Sequence, residues 1–197
     1  ALVFLAVAGN EKRAAAGLTR QNWKSAVLIV LAFVGIYIVR TVVSVAVQGV
    51  SDGSGMQHVK EWAAMFKNPM MWLNIAALPI NYFFVFIAFF GEEYGWRYYL
   101  QPVLQKRFGL RAGVIILGVV WGLWHIPDDL FYYTQTSGIQ MIFAQQITCI
   151  SLGIFFAYAY MKTQNIWVPV CLHYLNNNLI PIISGTFSAD VLENQTV

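Results

Sequence analysis

Charge is what this sequence most lacks. Its 197 residues include 12 Lys or Arg and 9 Asp or Glu, only 11% of the chain. A soluble domain covers its surface with roughly 25% charged residues. This chain instead carries 58% hydrophobic residues at a mean hydropathy of +0.59, so most of its outside must face something other than water. Disorder is excluded too, because 16% aromatic residues cannot stay solvated. A net charge of +3 is no nucleic-acid footprint, and no nucleic-acid partner is expected. Cysteine is equally scarce. Cys149 and Cys171 both lie in apolar runs, and neither a disulfide framework nor a CxxC metal motif can be built from them. Period-two alternation, internal repeats, low-complexity tracts and linkers are missing as well. What is left is an all-α, polytopic membrane bundle folded as one domain over 1–197.

What is present fits that class. A membrane-spanning helix needs about 20 apolar residues. Residues 26–50, 70–91, 112–127, 139–161 and 166–184 supply five runs of suitable character, the second holding Pro79 and the third rather short. The apolar stretch 1–9 reads as the tail of a truncated helix, and the whole sequence as the ordered part of something longer. The expectation is a transmembrane bundle of six to eight helices around a polar cavity, with N-terminal helices over 1–69 and a core over 70–184. Lys12, Arg13, Arg20, Lys24, Arg97, Lys106, Arg107, Arg111 and Lys162 fall on alternate loops, nine of the 12 cations. The positive-inside rule puts those loops in the cytoplasm. The opposite loops hold Lys60 and Lys67 with Asp52, Glu61, Asp128, Asp129, Asp190 and Glu193.

The stretch from Glu92 to Phe108 is helical in character yet too polar to face lipid. It reads as the second half of one long helix from Asn81 to about Gln105, bent near Pro102, with its polar half facing the protein interior. Gly109 then turns the chain into the next span.

Ionisable groups inside membrane segments are costly and mark functional sites. Glu93 and Arg97 are four apart, hence on one helical face at pairing distance, while Glu92 faces elsewhere. One carboxylate can therefore be neutralised by its own arginine and the other left over for chemistry. Glu92 lies 17 residues before Gly109 and His125 lies 16 after it. In an antiparallel hairpin the two come level, each roughly 25 Å from the turn at about 1.5 Å per residue. His173 and Asn177 share a face of the last span, and Asn176 and Asn178 point aside to bond a cavity or another helix. Arg40 receives no role. Asp128 and Asp129 are expected to cap a helix or solvate a loop, and His58 to be exposed.

Glu92-Glu93-x-x-x-Arg97, Trp121-x-x-x-His125 and His173-x-x-x-Asn177, in this order, resemble the CPBP family. These are the CAAX proteases (the type 2 prenyl protease among them) and bacteriocin-processing Abi proteins, glutamic intramembrane endopeptidases with motifs EExxxR, FxxxH and HxxxN. The likeness covers about 70–184 and departs from the pattern at Trp121, where the family has Phe. It implies that Glu92 and His125 activate water and that His173 and Asn177 stabilise the oxyanion. Glu93, Arg97 and Trp121 support them, and no metal or other cofactor takes part. It further implies a membrane-associated or lipidated peptide substrate, contact with membrane lipid, and a multi-pass protein of a bacterial cell membrane.

Three rivals stand beside this reading. A carboxylate with two imidazoles, Glu92, His125 and His173, is also a catalytic zinc set, although no HExxH is present. A non-catalytic immunity or scaffold protein would keep the bundle without the chemistry. A proton-coupled transporter would use the same ionisable groups, although the chain shows no inverted repeat.

Overall fold

The computed structural model describes residues 9–133 and 136–184. The fragment 1–8 and the acids Asp190 and Glu193 lie outside the described residues. All regular structure among those described is helical: α1 (Asn10–Ala15), α2 (Trp23–Ser51), α3 (Gln57–Met65), α4 (Pro69–Glu93), a π-helical segment (Tyr94–Leu100), α5 (Gln101–Phe108), α6 (Leu110–Trp124), α7 (Ile126–Phe131), α8 (Gly138–Thr163) and α9 (Trp167–Ser184). The all-α membrane class follows directly.

Four stretches among the described residues are long and apolar enough to cross a membrane: Trp23–Ser51, Pro69–Phe108, Leu110–Phe131 and Gly138–Thr163. The run at 166–184 does form a helix, but His173 and three asparagines dilute its apolarity. The chain is thus an integral membrane protein.

The long polar helix differs from the expectation in two ways. It starts at Pro69, not Asn81, and runs unbroken for 40 residues to Phe108. At about 1.5 Å per residue this is near 60 Å, twice the hydrocarbon thickness, so only its apolar half needs lipid. Its irregularity also lies before Pro102. Over Tyr94–Leu100 the turns widen, and the Gln101 N–H donates to the Trp96 carbonyl, five residues back. A proline ring collides with the carbonyl four residues earlier, here that of Tyr98, and a wider turn relieves the collision.

The described residues form two compact units. The first contains 9–26 and 90–170. Gly109, at φ +85°, closes the turn from α5 into α6, as its place between two polar and apolar halves suggested. A Cβ on Gly113 would stand 2.6 Å from the Gln105 nitrogen, so these two helices pack backbone to backbone. Small residues do the same for α6 and α8: a Cβ on Gly118 would meet the Ile150 Cα at 2.7 Å. The segment before α2 is tied to the α8–α9 turn by Thr19 Oγ1 donating to the Gln164 carbonyl at 2.8 Å and Asn22 Nδ2 to that of Thr163 at 3.0 Å.

The second unit contains 27–89 and 171–184. Trp62 Nε1 on α3 donates to the Ile183 carbonyl of α9 at 2.7 Å, and the Tyr174 hydroxyl donates to Leu78 of α4 at 2.8 Å. His58, in the first turn of α3, is not simply exposed. Its Nε2 lies 2.6 Å from an Asp52 carboxylate oxygen and its Nδ1 lies 3.6 Å from Glu61. The Ser54 backbone N–H donates to Asp52 Oδ1 at 2.9 Å, and the polar contacts of Ser54, then of His58, lower the Asp52 pKa to about 2. The Asp52 bond raises that of His58. The sign follows: the pair holds the loop while His58 is protonated and releases it as pH rises through the raised value. An NMR titration is expected to place the His58 midpoint above the ordinary imidazole value, and Asp52→Asn to bring it down. A midpoint unmoved by that substitution contradicts the pairing.

Candidate active site

The first unit carries the two adjacent acids at the end of α4. Glu93 is fully buried and accepts a 2.8 Å charge-assisted bond from Nε of Arg97, itself fully buried. Arg97 is therefore an interior ion-pair partner, not a loop cation, and the oriented set of loop charges falls from nine to eight. Gln101, one turn further, is buried as well, so the interior stripe runs Glu93, Arg97, Gln101. Glu92 points off this stripe. It is half-buried, and its Oε2 is shielded from solvent with no hydrogen-bond partner among the described residues. The pairing geometry thus leaves one carboxylate neutralised and its neighbour unclaimed.

Trp121 joins the first motif to the second. It is buried on α6, with its ring 5.0 Å from the Arg97 guanidinium carbon and 5.8 Å from the His125 ring. Phe156 of α8 lies 5.4 Å from the same guanidinium. A flat aromatic face under a buried cation is what this position needs, and an indole supplies it as well as a phenyl ring.

His125 terminates α6. Its Nδ1 lies 2.8 Å from the Trp121 carbonyl, and a carbonyl can only accept, so Nδ1 carries the proton. Nε2 is left as the basic nitrogen, the tautomer a water-activating imidazole needs. Cys149 Sγ lies 3.7 Å from the same Nδ1, and this thiol also falls within electrostatic reach of Asp129, Arg97 and Glu92. One side chain of α8 thus touches His125 and feels the charge of Glu92.

Asp129 corrects the sequence reading. It neither caps α7 nor solvates a loop: it is fully buried, and neither carboxyl oxygen has a hydrogen-bond partner among the described residues. It stands one turn past His125. Just beyond, burial and then the charges of Asp128 and Asp129, with Glu92 among the smaller contributors, push the Tyr133 phenol above its usual range. A signal was present, because His125-x-x-x-Asp129 repeats the spacing of His173-x-x-x-Asn177.

In the second unit α9 places His173 and Asn177 one turn apart. His173 is buried, its ring edge-on to Phe89 at 5.1 Å. Asn177 is exposed and accepts at Oδ1 a 2.9 Å bond from Asn176 Nδ2. Asn176 and Asn178 do bond other helices, to Tyr37 of α2 and Asn81 of α4. Among the described residues no group of three or more His, Cys, Asp or Glu side chains is assembled around one point.

Comparison with known proteins gives two matches. A family model described as Type II CAAX prenyl endopeptidase Rce1-like matches residues 72–179, more than half the chain. The chain is also 27% identical over 125 residues to a protein of Methanococcus maripaludis named CAAX prenyl protease 2. That match covers 59% of this chain and 45% of the archaeal protein, so the chain spans less than half the length of this relative. No solved structure matches significantly.

Proposed function

The chain belongs to the Rce1-like family of type II CAAX prenyl endopeptidases, and from that membership we propose that it is an intramembrane peptidase. Its substrate is a membrane-associated or lipidated peptide, of the CAAX type that the archaeal relative's name indicates or of the bacteriocin or pheromone type. The observation that carries the mechanism is the unequal fate of two adjacent acids, Glu93 spent on Arg97 and Glu92 unspent.

The chemistry is direct attack by water. Glu92 takes one proton from the water, and Nε2 of His125 accepts its other hydrogen as a hydrogen bond and fixes its aim. The hydroxide adds to the peptide carbonyl carbon, and the carbonyl oxygen becomes an oxyanion that His173 and Asn177 stabilise as donors. Glu92 then returns its proton to the amide nitrogen, the C–N bond breaks, and a carboxylic acid and an amine leave. The protein works in a bacterial cell membrane, where lipid covers its apolar helices.

Incubating the purified protein with an isoprenylated peptide and reading product masses tests this activity. Cleavage between the modified cysteine and its C-terminal neighbours is expected. An intact peptide, across lipidated and leader-type substrates alike, contradicts the peptidase.

Asp129 belongs beside this chemistry as a carboxyl group kept near His125 at a cost. An unmatched buried polar group destabilises by about 1–3 kcal/mol. Asp129→Leu is therefore expected to raise the unfolding free energy by about that amount, while slowing hydrolysis. Denaturation in detergent with parallel rate measurements checks both, and a destabilised variant contradicts the unmatched state.

A further inference from the structure

Three successive amides on α9 carry different duties. Asn178 Nδ2 donates to the Tyr174 carbonyl at 3.0 Å, and its Oδ1 faces Asn81 Nδ2 at 3.4 Å, which makes it a helix-to-helix tie. Asn176 and Asn177 form a directed chain instead. The Tyr37 hydroxyl donates to Asn176 Oδ1 at 2.7 Å, and Asn176 Nδ2 donates to Asn177 Oδ1 at 2.9 Å. Each link fixes the next. Once Oδ1 of Asn176 is taken by Tyr37, its NH2 group must face Asn177. Once Oδ1 of Asn177 is taken in turn, its own NH2 group must face away, toward whatever the exposed side of α9 meets.

We propose that Tyr37 is a positioning residue for the oxyanion site: through Asn176 it locks the Asn177 amide with its hydrogens outward and makes them stronger donors. The proposal rests on the oxyanion role given to Asn177 above. The physical reason is twofold. A free asparagine amide can turn end for end at little cost, and then presents an oxygen to an oxyanion. A bond donated into Oδ1 also draws electrons from Nδ2, strengthening the next donor by about 10–30% per link.

Arg40 finds its place at the head of the chain. Its guanidinium carbon lies 5.6 Å from the Tyr37 ring centroid, where a cation favours electron withdrawal from the phenol and so a better O–H donor.

The test measures kcat and KM of the full protein on the cleaved peptide for Tyr37→Phe, Asn176→Asp, Asn177→Ala and the Tyr37→Phe/Asn177→Ala double variant, with unfolding temperatures alongside. Asn177→Ala is expected to lower kcat about 100-fold, the worth of one oxyanion donor. Tyr37→Phe removes a single O–H and is expected to lower kcat about three- to tenfold with KM unchanged. In the Asn177→Ala background it changes nothing, because its effect passes through that amide.

Asn176→Asp discriminates the direction of the chain. It keeps an acceptor for Tyr37 but has no donor for Asn177, and kcat falls at least as far as in Tyr37→Phe. The relay is overturned if Asn176→Asp keeps the parental kcat, if Tyr37→Phe does, or if Tyr37→Phe costs the same factor in both backgrounds. A parental kcat in Asn177→Ala overturns the oxyanion assignment itself, and the relay with it.

Discussion

Glu92→Gln stops peptide hydrolysis, with kcat down by about a thousandfold or more, because positioned acid–base groups contribute roughly 10²–10⁴-fold. The side chains have the same shape, but an amide cannot take a proton from water and return it to the leaving nitrogen. Folding is expected to be untouched, since the Glu93–Arg97 pair lies on another face and Glu92 Oε2 accepts no hydrogen bond among the described residues. KM therefore stays near its parental value and the loss falls on kcat. Glu93→Gln makes the useful contrast: it slows the reaction only through a weakened fold and lowers the unfolding temperature. Single-turnover cleavage and thermal unfolding of both variants separate the roles. If Glu92→Gln turns over at the parental rate, Glu92 is not the base.

Arg97→Ala unfolds the interior. Removing one partner of a buried ion pair leaves the other charge uncompensated, which costs about 3–5 kcal/mol. Here Glu93 would stay fully buried with its Arg97 partner gone. The ring faces of Trp121 and Phe156, at 5.0 and 5.4 Å from the guanidinium, would line the gap. For a chain of this size the loss lowers the unfolding temperature by about 10 °C or more. Glu93→Gln/Arg97→Met removes both charges and keeps the volume, and it is expected to regain most of the stability. Calorimetry or scanning fluorimetry in one detergent compares the three proteins. A double variant as unstable as Arg97→Ala refutes the charge argument and leaves packing as the cause.

Hydropathy and spacing showed much of this. Residues 26–50 and 139–161 read as apolar runs and became Trp23–Ser51 and Gly138–Thr163, because lipid-facing helices have no alternative to long apolar stretches. The Gly109 turn and the Glu93–Arg97 pair were legible because both are local: one glycine between two helical patterns, one i,i+4 spacing. The wide turn at Tyr94–Leu100 was not, since it reports a collision with Pro102 whose outcome, bend or bulge, the pattern leaves open. The burial of Asp129 depends on α7 packing against α8, which no short-range signal encodes. Nor does any spacing announce Tyr37 beside Asn176, separated by 139 residues. Arg97 was misread for the opposite reason: counted by its position between spans, it passed for a loop charge, although its pairing partner had already been named.

The central claim is that carboxylate chemistry, without a metal, hydrolyses the peptide bond. Glu92, His125 and His173 are also ligand types for zinc, so one measurement bears on it most directly. The purified protein is washed with a strong chelator, its metal content is read by mass spectrometry, and cleavage of the lipidated peptide is followed in the same sample. The account predicts the full cleavage rate with zinc far below one ion per chain. Cleavage that vanishes on chelation and returns with one equivalent of zinc would contradict it.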